Sequence, residues 1–494
     1  MMKNLPRILF AILLGSIPLM GIADTYTDLE ERVVEHELRN GMRFLILERH
    51  NVPLVSMVIV VRVGSANEER NKTGLAHFIE HLMFKGTPTI GTANYKKESK
   101  ALRELDAAYE AYRKAEQAGA DSATVAGLYE KFKQRQVEAA SYIIQGEWDE
   151  LYSRQGAVGL NAYTCHDYTT FKVTLPPDRF KLWCAVESDR LTNAVFREFY
   201  KERDVVVEER RSGENNPSGI FFREFFDVCY RTHPYGRPVY GYPGDAEGLS
   251  RQDARGFFET YYVPQHMSAA IVGDVNAEEI IHLIDAYFSR IPEKPESPPL
   301  IAREPQQPGI RRVEMKMRNK AQFLIGFHTV PVNHEDRLAL ELLDQVLIGG
   351  ETSRLYKSLI QERKLASSIR FGHSAGFYGG DFFLLVDATA GVAAAELEDA
   401  VLEELASLAD NPITQDELDA VCARWRVGTY EDVVDNEGMA NTLAILDQSP
   451  VGWREEFRML EKASQVTPEQ VMEAAERYLD PDRRTVGLLE VADE

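Results

Sequence analysis

Apolar side chains along this chain follow two periodicities, and they alternate in the same order twice. After a turn signal at Asn40-Gly41, Arg43-Phe44-Leu45-Ile46-Leu47 forms a short apolar run and residues 55–63 a longer β-branched one, so both predict strands. Leu75, Phe78, Ile79, Leu82 and Met83 then recur at helical spacing, which predicts a helix over residues 74–84. Further on, Ser250 opens a helical pattern through Phe257, Phe258, Tyr261 and Tyr262; Pro264 stops it, and residues 269–273 follow as a strand. Near the C-terminus Thr467 opens a similar helix through Val471, Ala475 and Tyr478; Pro481 stops it, and residues 485–489 repeat the strand. Ser and Thr both suit the N-cap, because a hydroxyl accepts a bond from an orphan N–H of the first turn. The recurrence reads as two diverged copies of one unit. Strands followed by helices in each copy give an α+β class: two homologous domains, each a mostly antiparallel sheet with helices packed on it.

Six prolines (292, 295, 298, 299, 305 and 308) crowd the stretch between the copies, a density that blocks helix and central strand alike. Residues 292–309 therefore read as an extended linker between an N-terminal domain, 24–291, and a C-terminal homologous domain, 310–494. Residues 96–141 differ in character, being rich in Ala, Glu, Lys and Gln. Leu102, Leu105, Tyr109 and Tyr112 mark one helical stripe there, and Val125, Leu128, Phe132 and Ala139 another. Gly119 and Ser122 punctuate the two, which predicts a helical hairpin inserted into the first domain.

Composition narrows the class. At 494 residues, with 44% hydrophobic and 27% charged positions, the chain excludes a disordered, collagenous or disulfide-scaffold protein. Lys and Arg total 56 against 78 Asp and Glu, so a net charge of −22 argues against nucleic acid as a partner. Lys3 and Arg7, the apolar residues 8–20 and Gly21-Ile22-Ala23 read as a signal peptide over residues 1–23. That run holds Pro18 and falls short of a membrane span, and no later segment is long and apolar enough. The expectation is an exported, periplasmic protein with no integral membrane segment after signal cleavage. Cys165, Cys184, Cys229 and Cys422 form no C-x-x-C pair, which excludes a cysteine zinc knuckle and leaves their disulfide state open.

The chemistry starts at His77-Phe78-Ile79-Glu80-His81. On a helix His77 and His81 project from one face a turn apart, and two neutral imidazoles so placed can share one zinc ion. Glu80 lies one turn from His77, where a carboxylate base can deprotonate an attacking water. Zinc wants a third protein ligand, and residues 202–210 read as an acidic helix with Val205 and Val206 inward. Its Glu202 and Glu209 are seven apart, two turns along one face.

Residues 74–87, followed by Asn161-Ala162-Tyr163-Thr164 and residues 202–209, resemble the pitrilysin family of zinc peptidases over nearly all of the chain. The resemblance implies His77, His81 and Glu209 as ligands of one Zn2+ per chain, Glu80 as catalytic base and Glu202 as a supporting residue that orients the site. It implies that Asn161 and Ala162 lie on a strand that pairs with the substrate backbone. It also implies two halves that face each other as a clamshell around peptides or unfolded segments. Two departures stand out. The gap from His81 to Glu209 is longer than usual by about the length of the hairpin. The second copy carries Leu340, Leu343 and Asp344 where the first has His77, Glu80 and His81. After Ser353-Arg354-Leu355, the positions where many family members carry a substrate-holding Arg and Tyr hold Ile360 and Ser367, with Arg363 and Arg370 out of register. The reading is a zinc metalloendopeptidase acting as the catalytic subunit of a heterodimer, whose homologous partner carries the Arg/Tyr pair. The alternative is a non-catalytic peptide-binding or scaffold subunit of an assembly.

Overall fold

A computed structural model describes residues 29–214 and 216–492. The signal-peptide reading falls outside them. The first sheet contains β1 (Val34–Glu37), β2 (Arg43–Glu48), β3 (Val55–Val61), β4 (Val158–Thr164), β5 (Thr169–Leu175) and β6 (Met267–Gly273), in the order β1-β2-β6-β3-β5-β4. The second contains β7 (Arg311–Met317), β8 (Gln322–Thr329), β9 (Ala366–Ala375), β10 (Gly380–Ala388) and β11 (Thr485–Val491), in the order β7-β11-β8-β10-β9. Removing β1 makes the two orders superimposable. Each sheet is antiparallel except for one parallel pair, β2 with β6 and β7 with β11. The α+β class with two homologous domains is therefore observed.

The repeat extends to single hydrogen bonds. Ser250 caps the Arg251–Tyr261 helix by accepting from Asp253 N, and Thr467 caps the Pro468–Tyr478 helix by accepting from Gln470 N. A short 3₁₀ turn opened by Pro264 leads into β6, and one opened by Pro481 leads into β11. A proline cannot continue the helix but fits the first position of the next turn.

Both faces of each sheet are covered, which is why β3 and β6 are buried along their whole length. Met57, Ile59 and Val61 face the core shared with the helix Leu75–Leu82. Val58, Val60, Leu45, Leu47, Ala270 and Val272 face the other way. They pack on Met439, Ala440, Leu443 and Ala444 of the helix Asn436–Gln448, which belongs to the second half. The exchange is mutual: Phe221 and Phe225 of the helix Pro217–Cys229, from the first half, cover Leu324, Leu385 and Leu489 of the second sheet. Gly487 on β11 leaves room for them, since a Cβ there would stand 2.8 Å from the Phe221 ring. Each half thus completes the other's core.

Residues 293–308 form neither helix nor strand. The helices Tyr95–Gln117 and Ser122–Ala140 lie side by side, capped by Asn94 and Asp121. Buried Arg197 donates to Glu98 near the start of the hairpin and to the carbonyls of Lys85, Thr87 and Ile90, which ties the hairpin's base to the chain leaving Leu75–Leu82.

Candidate metal centre

The helix Leu75–Leu82 begins at Gly74 in the left-handed region, φ +87°. Its first turn is capped from outside: the Glu68 carboxylate accepts from Gly74 N at 2.9 Å and Ala76 N at 2.7 Å. A carboxylate at a helix N-terminus satisfies orphan donors and suits the dipole. The apolar stripe seats Phe78 against Phe199, with ring centroids 4.6 Å apart, so the Phe199–Glu214 helix is held alongside. That packing brings Glu202 and Glu209 to the histidines.

His77, His81 and Glu209 each offer a ligand atom, and these atoms lie within 4.8 Å of one another. His81 Nε2 stands 3.6 Å from Glu209 Oε2. A tetrahedral zinc with bonds near 2.1 Å wants ligand atoms roughly 3.4 Å apart, so this pair fits, and small side-chain rotations bring in the third. His81 Nδ1 donates to Glu202 Oε1 at 3.1 Å, which fixes the tautomer and leaves the Nε2 lone pair facing Glu209. His77 Nδ1 is sealed from solvent without a partner. Burial pushes the His77 pKa down to about 4, and the charge of His81 adds to this, so His77 is neutral at physiological pH. The donor set fits a zinc ion, with three protein ligands and an open position.

The surrounding charges are set against each other. Burial works to raise Glu202, but hydrogen bonds from His81 and Lys85 and the Lys85 charge outweigh it and hold Glu202 below its ordinary value. Lys85 Nζ lies 2.7 Å from Glu202 Oε2. For His81, burial opposes the charge, yet the Glu202 bond and the fields of Glu202, Glu80 and Glu209 raise its pKa. Glu80, 7% exposed, is raised chiefly by burial; a hydrogen bond from Thr164 and the charge of His81 oppose the shift. Thr164 Oγ1 donates to Glu80 Oε2 at 2.7 Å.

Thr164 ends β4, the outer strand of the first sheet, and Asn161 and Ala162 lie on that strand, paired on one side only, with Lys172 and Phe171 of β5. The other side of β4 pairs with no strand among the described residues. Val206 is buried as its pattern implied, but Val205 is 48% exposed. It falls three residues after Glu202 and four before Glu209, on the helix face that carries both carboxylates rather than on the buried one. Glu68, Lys85 and Thr164 had no role in the sequence reading. Thr164 stood in the matched segment without one, Lys85 is one turn beyond His81, and nothing in sequence points to Glu68. Tyr240, whose ring meets His77 edge-on with centroids 4.8 Å apart, carried no sequence signal either.

In the second half Leu340 and Leu343 are fully buried, and Asp344 Oδ1 accepts from His373 N at 3.2 Å. Ile360 packs against the second core, and Ser367 Oγ points at the carbonyls of Asp387 and Ala388. Arg363 pairs with Glu403 at 2.9 Å and Arg370 with Asp387 at 3.0 Å.

Two family models match: the insulinase (peptidase family M16) model over residues 43–118, and the peptidase M16 inactive-domain model over residues 248–424. A zinc protease from Helicobacter pylori, PqqE, is 27% identical over 87% of this chain and 84% of its own. An uncharacterized zinc protease from Streptomyces coelicolor is 23% identical over 92% of this chain and 89% of its own. Among solved structures, a Helicobacter pylori protease superposes with a TM-score of 0.77 at 21% identity, covering 93% of this chain and 99% of that one. The first half of the periplasmic protease PqqL from Escherichia coli superposes with a TM-score of 0.66 at 20% identity, covering 93% of this chain and 92% of that one.

Proposed function

Because the chain belongs to the M16 family of peptidases, we propose that it is a zinc metalloendopeptidase that hydrolyses peptides or unfolded segments within the cleft between its halves. The observation that carries this reading is the convergence of His77, His81 and Glu209 within 4.8 Å, with Glu80 held beside them by Thr164. His77, His81 and Glu209 would hold one Zn2+, and Glu202 orients His81. When bound, zinc supplies Lewis-acid chemistry, acidifying water and polarising a carbonyl. The chain's own residues do the rest. β4, through Asn161 and Ala162, aligns the peptide backbone. Glu80 accepts a proton from water as its oxygen adds to the scissile carbonyl; the C–N bond then breaks, and the proton passes to the departing amine. The raised pKa of Glu80 suits a base that must also return its proton.

The same reading makes the chain the catalytic member of a heterodimer. Ile360 and Ser367 are committed to the second domain, and Arg363 and Arg370 already hold carboxylates, so a homologous subunit supplies the Arg/Tyr pair for the substrate. Export to the periplasm is supported by the signal-like residues 1–23 and by the likeness to periplasmic PqqL; no helix among the described residues is long and apolar enough to cross a membrane. A scaffold role is disfavoured because all four metal and base residues are in place.

The test is zinc titration of the purified chain with cleavage of a quenched fluorescent peptide library, alone and with co-purifying proteins. One zinc per chain and chelator-sensitive cleavage are expected, strongest with the partner. Full activity of the isolated monomer would remove the heterodimer, and no zinc uptake would remove the peptidase.

A further inference from the structure

Adding water to a peptide carbonyl places negative charge on its oxygen, and enzymes stabilise that oxyanion with donors already in position. At the positions where the resemblance implied a substrate-holding Arg and Tyr, Ile360 has no polar group and the Ser367 hydroxyl is turned to the Asp387 and Ala388 carbonyls. A phenol nevertheless stands at the site, from a different part of the chain. Tyr240 lies in the loop between the Pro234–Gly236 turn and the Pro243–Gly248 helix. Its ring stands edge-on to His77, with 4.8 Å between centroids and 81° between planes.

The loop is fastened to the motif helix at four points. A Cβ on Gly74 would come within 2.6 Å of the Tyr240 carbonyl oxygen, and one on Gly241 within 2.3 Å of the Thr73 carbonyl oxygen, so only glycines allow this approach. Tyr242 N donates to Thr73 Oγ1 at 2.8 Å. Arg237 Nη1 donates to the carbonyl of Glu68 at 2.8 Å, the residue whose carboxylate caps the motif helix. Loop and helix therefore place Tyr240 and His77 as one rigid piece. Tyr240 remains 44% exposed, and its hydroxyl has no protein partner among the described residues. The arrangement fixes the ring and leaves the O–H free for a substrate.

We propose that Tyr240 is a catalytic residue of this site, its hydroxyl donating a hydrogen bond to the oxyanion of the scissile carbonyl from within this chain. The proposal rests on the peptidase reading. The hydroxyl keeps its proton throughout; it stabilises charge, and Glu80 still carries the proton from water to the leaving amine. A donor aimed at developing charge acts more on the transition state than on the bound peptide, so its removal lowers kcat and leaves KM nearly unchanged.

Tyr240→Phe keeps the ring against His77 and deletes only the donor. Zinc content should be unchanged, KM within about twofold, and kcat lower on the order of 10²-fold, as for loss of one oxyanion donor. A second readout needs no turnover. A phosphinic pseudopeptide carries a charged tetrahedral oxygen where the oxyanion forms, and its affinity for Tyr240→Phe, measured by calorimetry, should fall about as far as kcat. An uncleaved peptide should bind Glu80→Gln and the Glu80→Gln/Tyr240→Phe double variant equally. Wild-type kcat and wild-type phosphinate affinity in Tyr240→Phe would overturn the proposal. So would loss of zinc from that variant, which would make the ring a support for His77 instead. A zinc-loaded wild-type chain that, together with its co-purifying partner, neither cleaves peptides nor binds the phosphinate would instead overturn the peptidase reading itself.

Discussion

At the scale of single residues, the site is legible where chemistry demands a spacing. His77, Glu80 and His81 are fixed by one helical turn, and Glu202 and Glu209 by two. What supports them is not legible, because it arrives from other elements. Thr164 reaches Glu80 from β4, and Tyr240 reaches His77 from a loop more than 150 residues later. Two predictions belong here. The Thr164 hydrogen bond favours the charged form of Glu80, so Thr164→Val should raise the Glu80 pKa further. Activity requires the carboxylate, and it is lost as pH falls through that pKa; the acid limb of kcat/KM should therefore move to higher pH, read from a pH–rate profile. An unmoved limb would show that Thr164 does not tune the base. Glu202 fixes the His81 tautomer, and loss of such a partner typically costs 10–100-fold in metal affinity. Glu202→Gln should show roughly that loss in competition with a chromophoric chelator, and an unchanged affinity would remove Glu202 from the account.

At the scale of elements, capping and proline punctuation carried the most information. Ser250 and Thr467, with the prolines that end their helices, marked two units whose strands prove to occupy the same place in each sheet. The exchange of helices between the halves was hidden, since an apolar stripe states that it is buried but not against what. Val205 shows the converse: an apolar residue beside a buried valine reads as core, yet it stands 48% exposed. The exchanged helices should be strongly stabilising. Phe225 is fully buried between the Pro217–Cys229 helix and the second sheet. Phe225→Ala should destabilise the protein by about 3–5 kcal/mol, from lost transfer energy plus a residual cavity. Chemical denaturation measures it; a loss below about 1 kcal/mol would mean that the helix contributes little to joining the halves.

At the scale of the molecule, one half carries the His-His-Glu cluster and the other keeps the fold without those side chains. The second copy of the motif helix fills with Leu340 and Leu343 what the first leaves to His77 and Glu80, so its core is intact and the polar site is absent there. This division is what the proposed pairing with a second, homologous subunit would answer. It also places the claim in a few atoms: a metal held by three side chains, and one carboxylate that moves a proton.

The most direct measurement compares wild-type and Glu80→Gln chains loaded with zinc, following both metal content and cleavage of a quenched fluorescent peptide in the presence of co-purifying partners. Glu80 is not a ligand in this account, so the variant should keep one zinc per chain and lose essentially all turnover. Equal cleavage by the two chains, or loss of zinc from the variant, would contradict it.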